Sequence, residues 1–396
     1  MKITDIKVAI LRGNFCWPLI RVETDEGIDG LGEARDYSPA QHHTIPLKEQ
    51  ILRLKKVLIG EDPTNIERIF RKIIVYGAEG RFGGAVSGVE IALWDILGKS
   101  LGAPVYKLIG GRFREKVRIY CDCHAGRAIA DASRDYLFEG FEEFYTPEAY
   151  AEAARRIKAM GFTILKFDLH PHYAGKDALI GRIPTNKAIK YERSVVEALR
   201  KALGDEFPLA LDAYQGGTIE GAIRFGKAVE PYGLLWIEDI MDWRDVKGLK
   251  IVSRALRTPI LTGEDIYTVA GFRPLIEERA IDIAAPDMLT CGGIMETKKV
   301  GWLADLHGIS IAPHNAASPV ATIANVHAAA AMPENLIAVE FHAVAVPWWE
   351  DLVDGISKPI IKDGYISVPE GPGLGIELNE KVARKNLMEG EKFFEE

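Results

Sequence analysis

Residues 209–214 read LALDAY, an apolar run that reaches a carboxylate at Asp212. Two later stretches follow the same plan, and they are GLLWIED (233–239, with Glu238) and TPILTGED (258–265, with Glu264). The three acids stand at positions 212, 238 and 264, which are 26 residues apart in both cases. An acid at the tip of a buried strand requires a reason, and the equal spacing indicates a repeated structural unit.

From about residue 117 the chain alternates strand-like runs with amphipathic helical stretches. The runs lie at 117–123, 162–169, 207–214, 233–239, 258–265, 280–287, 309–315 and 336–342. One intervening helix has clear start signals, since Thr146 and Pro147 suit the N-cap and the first helical position. Eight strand–helix units predict an α/β fold with a parallel, TIM-type (β/α)₈ barrel. The alternative, an open doubly wound sheet, lacks a Gly-rich phosphate loop after its first strand.

Residues 1–115 have a different pattern. Strand-like runs with glycines between them predict an antiparallel meander, and helical stretches follow at 47–58, 62–76 and 87–100. The last stretch is apolar on several sides, which predicts a largely buried helix. We therefore predict an N-terminal α+β domain over residues 1–115 and the barrel over 116–364. The Gly- and Pro-rich segment 365–396 is predicted to pack back on the N-terminal domain.

The composition limits the partners of this 396-residue chain. Its net charge of −8 disfavours nucleic acid, and an anionic ligand would need a local metal ion or lysine. No apolar run suits a membrane span and no signal peptide is evident, so we expect a cytoplasmic protein. Its four cysteines fit a reducing compartment. The run CDCH at 121–124 resembles half a zinc site, but no second pair follows it.

Ionisable residues stand at the carboxyl ends of the predicted strands, and in a parallel barrel these ends share one face. They are Lys166 and Asp168 on the second strand, and Asp212, Glu238, Glu264, Asp287, His314 and Glu340 on the third to eighth. Any one acid alone could be a helix cap or a solvated loop residue. Because such residues recur at corresponding positions on successive strands, we predict a single shared site.

The residue types at this face suit acid–base chemistry beside a metal ion. Asp212, Glu238 and Glu264 offer only carboxylate oxygens, which favours Mg²⁺, with Mn²⁺ as the alternative, over zinc. Asp287 and His314 are on neighbouring strands, so the carboxylate can orient one imidazole nitrogen and leave the other as a base. A cation that faces a base suits removal of a proton beside a carboxylate, because the cation stabilises the enediolate.

Several stretches resemble the mandelate racemase-like branch of the enolase superfamily, within the mandelate racemase/muconate lactonizing enzyme family. They are ALWDILGKSLGAPVYKLIGG (92–111), the three acids and the Asp287/His314 pair, CGGI (291–294), Glu340 and VPEGPGLGIELNE (368–380). The resemblance implies that residues 1–115, completed by the C-terminal segment, cap the barrel. It also implies one Mg²⁺ per active site, a small hydroxy-carboxylate substrate, abstraction of its α-proton, and a homo-oligomer.

The sequence departs from some members of this family in ways that limit the reaction. Racemases of the mandelate type have Lys-x-Lys on the second strand, whereas this chain has Lys166-Phe167-Asp168 and so lacks that second base. Cycloisomerases need a lysine on the sixth strand, where Asp287 stands. One base, His314, suffices to eliminate water from a sugar acid (aldonate or aldarate) and give a 2-keto-3-deoxy acid. We predict this lyase activity; the alternatives are a 2-hydroxy acid racemase or epimerase and a non-catalytic metal-binding protein.

The resemblance also implies roles for other residues at the strand ends. Lys166 would neutralise the substrate carboxylate, or instead form a salt bridge to a metal-binding acid. Glu340 would hydrogen-bond the second carboxylate oxygen. Some dehydratases have a histidine acid where this chain has Tyr214, so either Tyr214 or, as we favour, His314 protonates the leaving hydroxyl. If His314 does so, Tyr214 is expected to bind substrate as a hydrogen-bond partner. Asp168 is expected to contact a distal hydroxyl or to be structural.

Substrate specificity in this family comes from loops of the capping domain. The expected substrate contacts are Trp17, within the stretch 14–17, and Arg81, and the stretch 37–43 is a further candidate. Trp348 and Trp349 would either line the pocket rim or pack in the core.

Overall fold

The computed structural model describes residues 1–35, 44–80, 83–123, 145–213, 217–342 and 346–394. The N-terminal part is a three-stranded antiparallel sheet followed by helices, which is the predicted α+β arrangement. Its strands, which neighbour one another in chain order, are β1 (Ile3–Arg12), β2 (Cys16–Thr24) and β3 (Asp29–Glu33). Its helices are α1 (Thr44–Arg53), α2 (Lys55–Leu58), α3 (Ile66–Ile73, continued by a 3-10 turn), α4 (Gly83–Leu101) and α5 (Val105–Leu108).

Helix α4 is buried along most of its length, as its apolar pattern predicted. Strand β3 lies directly on this helix because two glycines remove side chains from the contact. A Cβ atom at Gly30 would lie 2.0 Å from the Ala92 carbonyl oxygen, and one at Gly32 would lie 2.0 Å from the Gly88 carbonyl oxygen. The sheet and α4 therefore share one tightly packed core.

The barrel strands alternate with helices. In chain order they are β4 (Lys116–Cys123), β5 (Leu165–Asp168), β8 (Leu209–Asp212), β9 (Ile237–Glu238), β10 (Ile260–Thr262), β11 (Ile283–Ala284), β12 (Ser310–Ile311) and β13 (Val339–His342). All of them except β4, which is one residue longer, are shorter than their predicted runs. Between β5 and β8, β6 (Leu179–Ile180) and β7 (Ile183–Pro184) form a hairpin outside the barrel. Among the described residues, the eight barrel strands run parallel in the order β12-β11-β10-β9-β8-β5-β4-β13.

The two edges of this sheet meet and close it. Ile311 and Leu336 form a parallel bridge between β12 and the approach to β13. The Ile337 N–H also donates to the Ile311 carbonyl oxygen at 2.9 Å. The predicted (β/α)₈ barrel is confirmed.

Helices follow the barrel strands, and the one with predicted start signals begins at Pro147 as expected. They are α6 (Pro147–Ala159), α7 (Asn186–Leu203), α8 (Ile219–Val229), α9 (Val246–Ala255), α10 (Thr268–Glu277), α11 (Met288–Cys291), α12 (Ile294–Leu306) and α13 (Pro319–Ala330). The Thr146 hydroxyl caps α6 by accepting from the Ala149 N–H at 3.2 Å, and Gly204 ends α7 with φ of 90°. Within the described ranges, every helix is too short or too polar to span a bilayer.

Apolar side chains fill the barrel axis, and the ionisable residues lie directly above them. The filling residues are 0–4% exposed and are Tyr120, Ile164, Ala210, Trp236, Leu261, Ile283, Ala285, Ala312 and Ala338. Side chains two positions apart on a strand point the same way. The residue two positions after most of these therefore also faces the axis, at the carboxyl ends of the strands, which we call the mouth.

The C-terminal segment joins both parts of the molecule. It contains β14 (Val353–Asp354), β15 (Tyr365–Ser367), β16 (Glu377–Leu378) and α14 (Glu380–Lys385). Strand β15, which the domain prediction assigned to the N-terminal domain, pairs antiparallel with β4 of the barrel instead. Further along, Leu387 forms an antiparallel bridge to Leu11 of β1. The domain boundaries themselves stay a prediction.

Three buried carboxylates, which we call the interface acids, join separate segments of the chain: Glu33, Glu90 and Asp95. Each accepts backbone N–H hydrogen bonds of 2.8–3.1 Å from at least two residues, and the donors are Ser318 and Ala321 for Glu33, Ile294 and Met295 for Glu90, and Leu31 and Leu374 for Asp95. Glu33 and Glu90 thereby bind the first turns of α13 and α12. Burial outweighs these hydrogen bonds and raises the pKa of Glu33 to about 7 and that of Glu90 to about 8.

Candidate active site

Three carboxylates on adjacent strands converge at the mouth. Asp212 ends β8, Glu238 ends β9 and Glu264 follows β10. One oxygen from each lies within 4.8 Å of the others, and all three residues are buried. Among the described residues, the Glu238 Oε1 atom is buried without a hydrogen-bond partner. Three buried carboxylate oxygens that can act as metal ligands, next to an oxygen atom that lacks a hydrogen-bond partner, fit a hard divalent cation such as Mg²⁺.

Glu264 reaches this group through an irregularity in its strand. On the other strands the site residue stands two positions after an axis-filling residue, but Glu264 stands three positions after Leu261. Gly263 accounts for the extra residue, because its φ of 146° belongs to a conformation that favours glycine. A Cβ atom there would also lie 2.5 Å from the Phe272 Cε1 atom. Any side chain at position 263 would therefore clash with Phe272 and strain the backbone that precedes Glu264.

Burial and mutual repulsion act together on these acids. Burial raises the pKa of Glu238 well above its usual value, against the pull of Lys166. Burial, with repulsion from Asp239 and Asp212 and against the pull of His314, raises the pKa of Glu264 to about 8. Acids in such surroundings bind either protons or a cation, because several adjacent buried negative charges are unfavourable.

Asp287 and His314 form a hydrogen-bonded pair beside the carboxylates. The Asp287 Oδ1 atom accepts from the backbone N–H groups of Leu289 at 2.7 Å and Thr290 at 3.2 Å, which caps α11. Its Oδ2 atom lies 2.7 Å from His314 Nδ1. With a proton on Nδ1, the Nε2 atom of His314 is directed into the site, 3.2 Å from Glu264 Oε2.

The charges around His314 favour its protonated form. Burial alone would lower the pKa of this imidazole. The carboxylates of Glu264, Glu340 and Asp287 outweigh that effect and raise it to about 10. Glu264 is the strongest of these influences, so the charge state of His314 depends on what Glu264 binds.

Lys166 lies at the centre of the mouth and is 1% exposed. Its Nζ atom is surrounded by four carboxylates: Glu340 at 2.9 Å, Glu238 at 3.1 Å, Asp212 at 3.3 Å and Asp122 at 3.9 Å. Burial opposes the charge of Lys166, but these acids together raise its pKa well above the usual value. The structure thus places Lys166 in salt bridges with the acids, which was the alternative interpretation of the sequence.

Two residues near Lys166, Asp122 and His342, were not predicted as site residues from the sequence. Asp122 stands in the CDCH run, where the cysteines drew attention to zinc, yet the buried Cys121 and Cys123 lie in the main core and Asp122 faces Lys166. His342 follows Glu340 by two positions, and its Nε2 atom lies 3.6 Å from Asp122 Oδ2. The alternation that begins at Tyr120 and at Ala338 would have identified both residues.

The predicted substrate contacts have different outcomes. Tyr214, Arg81 and the stretch 37–43 lie outside the described residues. Trp17 is 1% exposed and packs edge-on against the half-buried Trp348, and its contact with substrate stays a prediction. Asp168 ends β5 beside Asp212, half-buried, and its carbonyl oxygen accepts from the Tyr150 hydroxyl at 2.9 Å.

An α+β layer joined to a (β/α)₈ barrel with acids at its strand ends defines the enolase-type class of barrel proteins. Residues 148–382 match the family described as enolase C-terminal domain-like. Residues 12–110 match the N-terminal domain of the mandelate racemase / muconate lactonizing enzyme family. The chain belongs to the enolase superfamily, in its mandelate racemase-like branch, as its motifs indicated.

Several of the named relatives are dehydratases, and one is the D-galactarolactone cycloisomerase of Agrobacterium fabrum, 30% identical over 374 residues, 91% of this chain and 88% of that protein. D-xylonate dehydratase of Haloferax volcanii is 36% identical over 401 residues, which cover 100% of this chain and 91% of that protein. D-gluconate/D-galactonate dehydratase of Picrophilus torridus is 27% identical over 380 residues, 95% of this chain and 90% of that protein. A solved mandelate racemase/muconate lactonizing enzyme-like protein from Rubrobacter xylanophilus superimposes with a TM-score of 0.89 at 37% identity, covering 100% and 99% of the two chains. Dehydratases are hydro-lyases, so the predicted enzyme class is confirmed.

Proposed function

We propose that this protein is a sugar-acid dehydratase in which His314 removes the α-proton of an aldonate. The observation that carries the proposal is the 2.7 Å contact between Asp287 and His314, with the free imidazole nitrogen directed at the acid triad. The named relatives act on xylonate, gluconate and galactonate, which supports five- and six-carbon aldonates as the substrate class.

Asp212, Glu238 and Glu264 would hold one divalent cation, Mg²⁺ or its substitute Mn²⁺. When bound, such a cation supplies a Lewis acid that offsets negative charge on the substrate carboxylate. Glu264 would then share its charge with the cation. Because Glu264 is the main influence that raises the pKa of His314, this sharing would allow the imidazole to act as a base.

The chain's own residues account for the proton transfers. His314 Nε2 takes the proton from C2, the resulting electron pair forms the C1–C2 enediolate, and the C3–O bond then breaks as a C2–C3 double bond forms. The same Nε2 proton goes to the departing hydroxyl, so water leaves on the face from which the α-proton was taken. The enol that remains tautomerises to the 2-keto-3-deoxy acid. Asp287 holds the Nδ1 proton throughout and thereby keeps the reactive nitrogen directed at the substrate.

Lys166 and Glu340 would manage the charge of the substrate carboxylate. Lys166 is fully buried and positively charged, and a carboxylate that enters the mouth would replace part of its present contacts with Asp212 and Glu238. Glu340 is fixed by the Asn315 N–H, which donates to Oε2 at 3.1 Å. Tyr214 and Arg81 remain proposed contacts for the sugar hydroxyls, and Asp168 for a distal one.

The test is a screen of the purified protein with Mg²⁺ against aldonates and aldarates, with 2-keto-3-deoxy products detected by semicarbazide absorbance. His314→Asn and Asp287→Asn are expected to lower turnover by roughly 100-fold or more, the usual contribution of a positioned acid–base group. His307→Asn, at the end of α12, is a matched control that should keep full activity. Deuterium entering the α-position of a hydroxy acid without loss of water would contradict the dehydratase and favour the epimerase.

A further inference from the structure

Asn14, in the turn between β1 and β2, has a fixed amide orientation. Its Oδ1 atom accepts from the Phe15 backbone N–H and from the Trp17 indole N–H, both at 3.0 Å. Both groups can only donate, so the oxygen must face them. The amide nitrogen therefore points the other way, where it lies 3.2 Å from the Nδ1 atom of His342. All of these polar atoms are within a buried region.

The amide orientation determines the tautomer of His342. An amide NH₂ group can only donate, so Nδ1 of His342 must accept and carry no proton. The proton of the neutral ring is then on Nε2, which faces the Oδ2 atom of Asp122 at 3.6 Å. His342 is consequently engaged on both nitrogens, by the N-terminal part of the chain on one side and by a mouth acid on the other. This arrangement suits a positioning residue.

The strand order places Asp122 on the opposite side of Lys166 from the proposed cation site. Lys166 is on β5, between β8 with Asp212 and β4 with Asp122. Its shortest contacts in this structure include Glu238 and Asp212, which are proposed cation ligands. A divalent cation among those ligands would repel the ammonium group, and Asp122 offers it a negative charge on the far side, at 3.9 Å.

We propose that Asp122 holds Lys166 on the β4 side of the mouth when a cation occupies the acid triad, and that Asn14 sets the strength of this hold through His342. The inference rests on the proposed cation site. Its consequence is that the turn between β1 and β2, which does not touch the triad, controls how strongly Lys166 competes with the cation for Glu238 and Asp212.

The first measurement is the affinity for Mn²⁺ alone, followed by electron paramagnetic resonance. Asp122→Asn removes the charge that holds Lys166, so we expect the Mn²⁺ affinity to fall roughly 10-fold. This is the smallest loss of affinity that is typical when a residue contacting the metal ligands is changed. Asn14→Asp replaces the donating NH₂ with an acceptor, which draws a second proton onto His342. The resulting imidazolium would engage Asp122 and release Lys166, so affinity should fall by a few-fold.

The sign of the Asn14→Asp effect distinguishes the proposal from simple electrostatics. An added carboxylate that acted only through space would strengthen cation binding. Asn379→Asp is a matched control, because Asn379 caps α14 by accepting from the Val382 N–H and an aspartate caps equally well. That variant should leave the affinity unchanged. In a His342→Gln background the fall in affinity caused by Asn14→Asp should disappear, since glutamine cannot take up a proton.

The second measurement is the ¹⁵N NMR signature of His342, assigned by its loss in His342→Gln. We expect a protonated Nε2 and an unprotonated Nδ1 in the native protein, and both nitrogens protonated in Asn14→Asp. An Nδ1-protonated ring in the native protein, or Mn²⁺ affinity that is unchanged or higher in Asn14→Asp, would overturn the proposal. Neither readout needs turnover. If both agree while no sugar acid is consumed, only the proposed function fails.

Discussion

The molecule contains two sets of buried acids with different surroundings. The interface acids Glu33, Glu90 and Asp95 each accept hydrogen bonds from two backbone N–H groups of other segments. The acids of the mouth face one another and a single lysine. Backbone donors are present permanently, so the interface acids are complete in the folded chain. The mouth acids have few such donors and repel one another, which supports the proposal that they bind a cation rather than join segments of the chain.

The largest expected effect tests the mouth side of this comparison. Asp212→Asn should weaken Mg²⁺ binding by more than about 100-fold. Residues that only hydrogen-bond to metal ligands cost up to about 100-fold in affinity when they are changed, and a direct ligand should cost more. Without cation, the variant should be at least as stable as the native protein because one repelling charge is gone. Isothermal titration with Mg²⁺, together with thermal unfolding in EDTA, measures both. A large loss of stability in EDTA would mean that Asp212 is structural.

Mg²⁺ itself should stabilise the native protein. At a free concentration 100 times its Kd, a ligand that binds only the folded state adds about 2.7 kcal/mol to the free energy of unfolding. Urea unfolding with and without Mg²⁺ measures the gain, and EDTA should reverse it. Asp212→Asn should show no gain, whereas Asp95→Asn, which changes an interface acid, should show the full gain.

Glu192 on α7 is a buried acid that belongs neither to the interface acids nor to the acids of the mouth, and it tests what burial alone does to a carboxylate. It is 2% exposed, and among the described residues its Oε2 atom has no hydrogen-bond partner. Burial raises its pKa from the usual 4.5 to about 8. Below pH about 4.5 both states are protonated; as pH rises to about 8 only the unfolded state ionises, so this residue lowers the free energy of unfolding across that range.

Glu192→Gln should remove this pH dependence. Relative to the native protein, the variant should gain on the order of 2 kcal/mol between pH 5 and pH 8. Urea unfolding at several pH values measures the difference. Glu197→Gln, at an exposed position of the same helix, is the control and should show no such trend. An unchanged difference across the range would show that Glu192 is ionised in the folded protein.

The smallest effect is expected at an interface acid. Asp95 accepts from the Leu31 and Leu374 N–H groups and forms an ion pair with Lys99 at 2.8 Å. In Asp95→Asn the amide NH₂ would face one of those donors, which should cost roughly 1.5 kcal/mol of unfolding free energy. Chemical unfolding measures it, and Mg²⁺ affinity should not change. A change in affinity would show that the two sets of acids are coupled.

The sequence predicted the barrel and most of the mouth because both depend on local patterns. Apolar runs that end on an ionisable residue are visible without any contact information, and Asp287 and His314 follow from strand order alone. Asp122 was missed because its neighbours Cys121 and Cys123 suggested a different chemistry. The burial of Trp17 was not foreseen, because the sequence does not show that its indole N–H donates to Asn14 within the core.

The interface acids could not be predicted from the sequence. Glu33 binds the N–H groups of Ser318 and Ala321, nearly 290 positions away, and the pairing exists only after the sheet and barrel are assembled. The same holds for β15, whose pairing with β4 depends on the course of the chain around the barrel. Long-range contacts of this kind leave no periodic signal in either partner.

The filled barrel axis has a consequence for isotope experiments. Tyr120, Trp236 and the other axis residues are 0–4% exposed, so solvent reaches His314 only from the mouth. A substrate seated over the mouth would shelter the proton that His314 has just removed, and return of that proton to the same carbon would then compete with its exchange. An α-deuterated sugar acid recovered from a half-completed reaction in ordinary water should therefore retain most of its label.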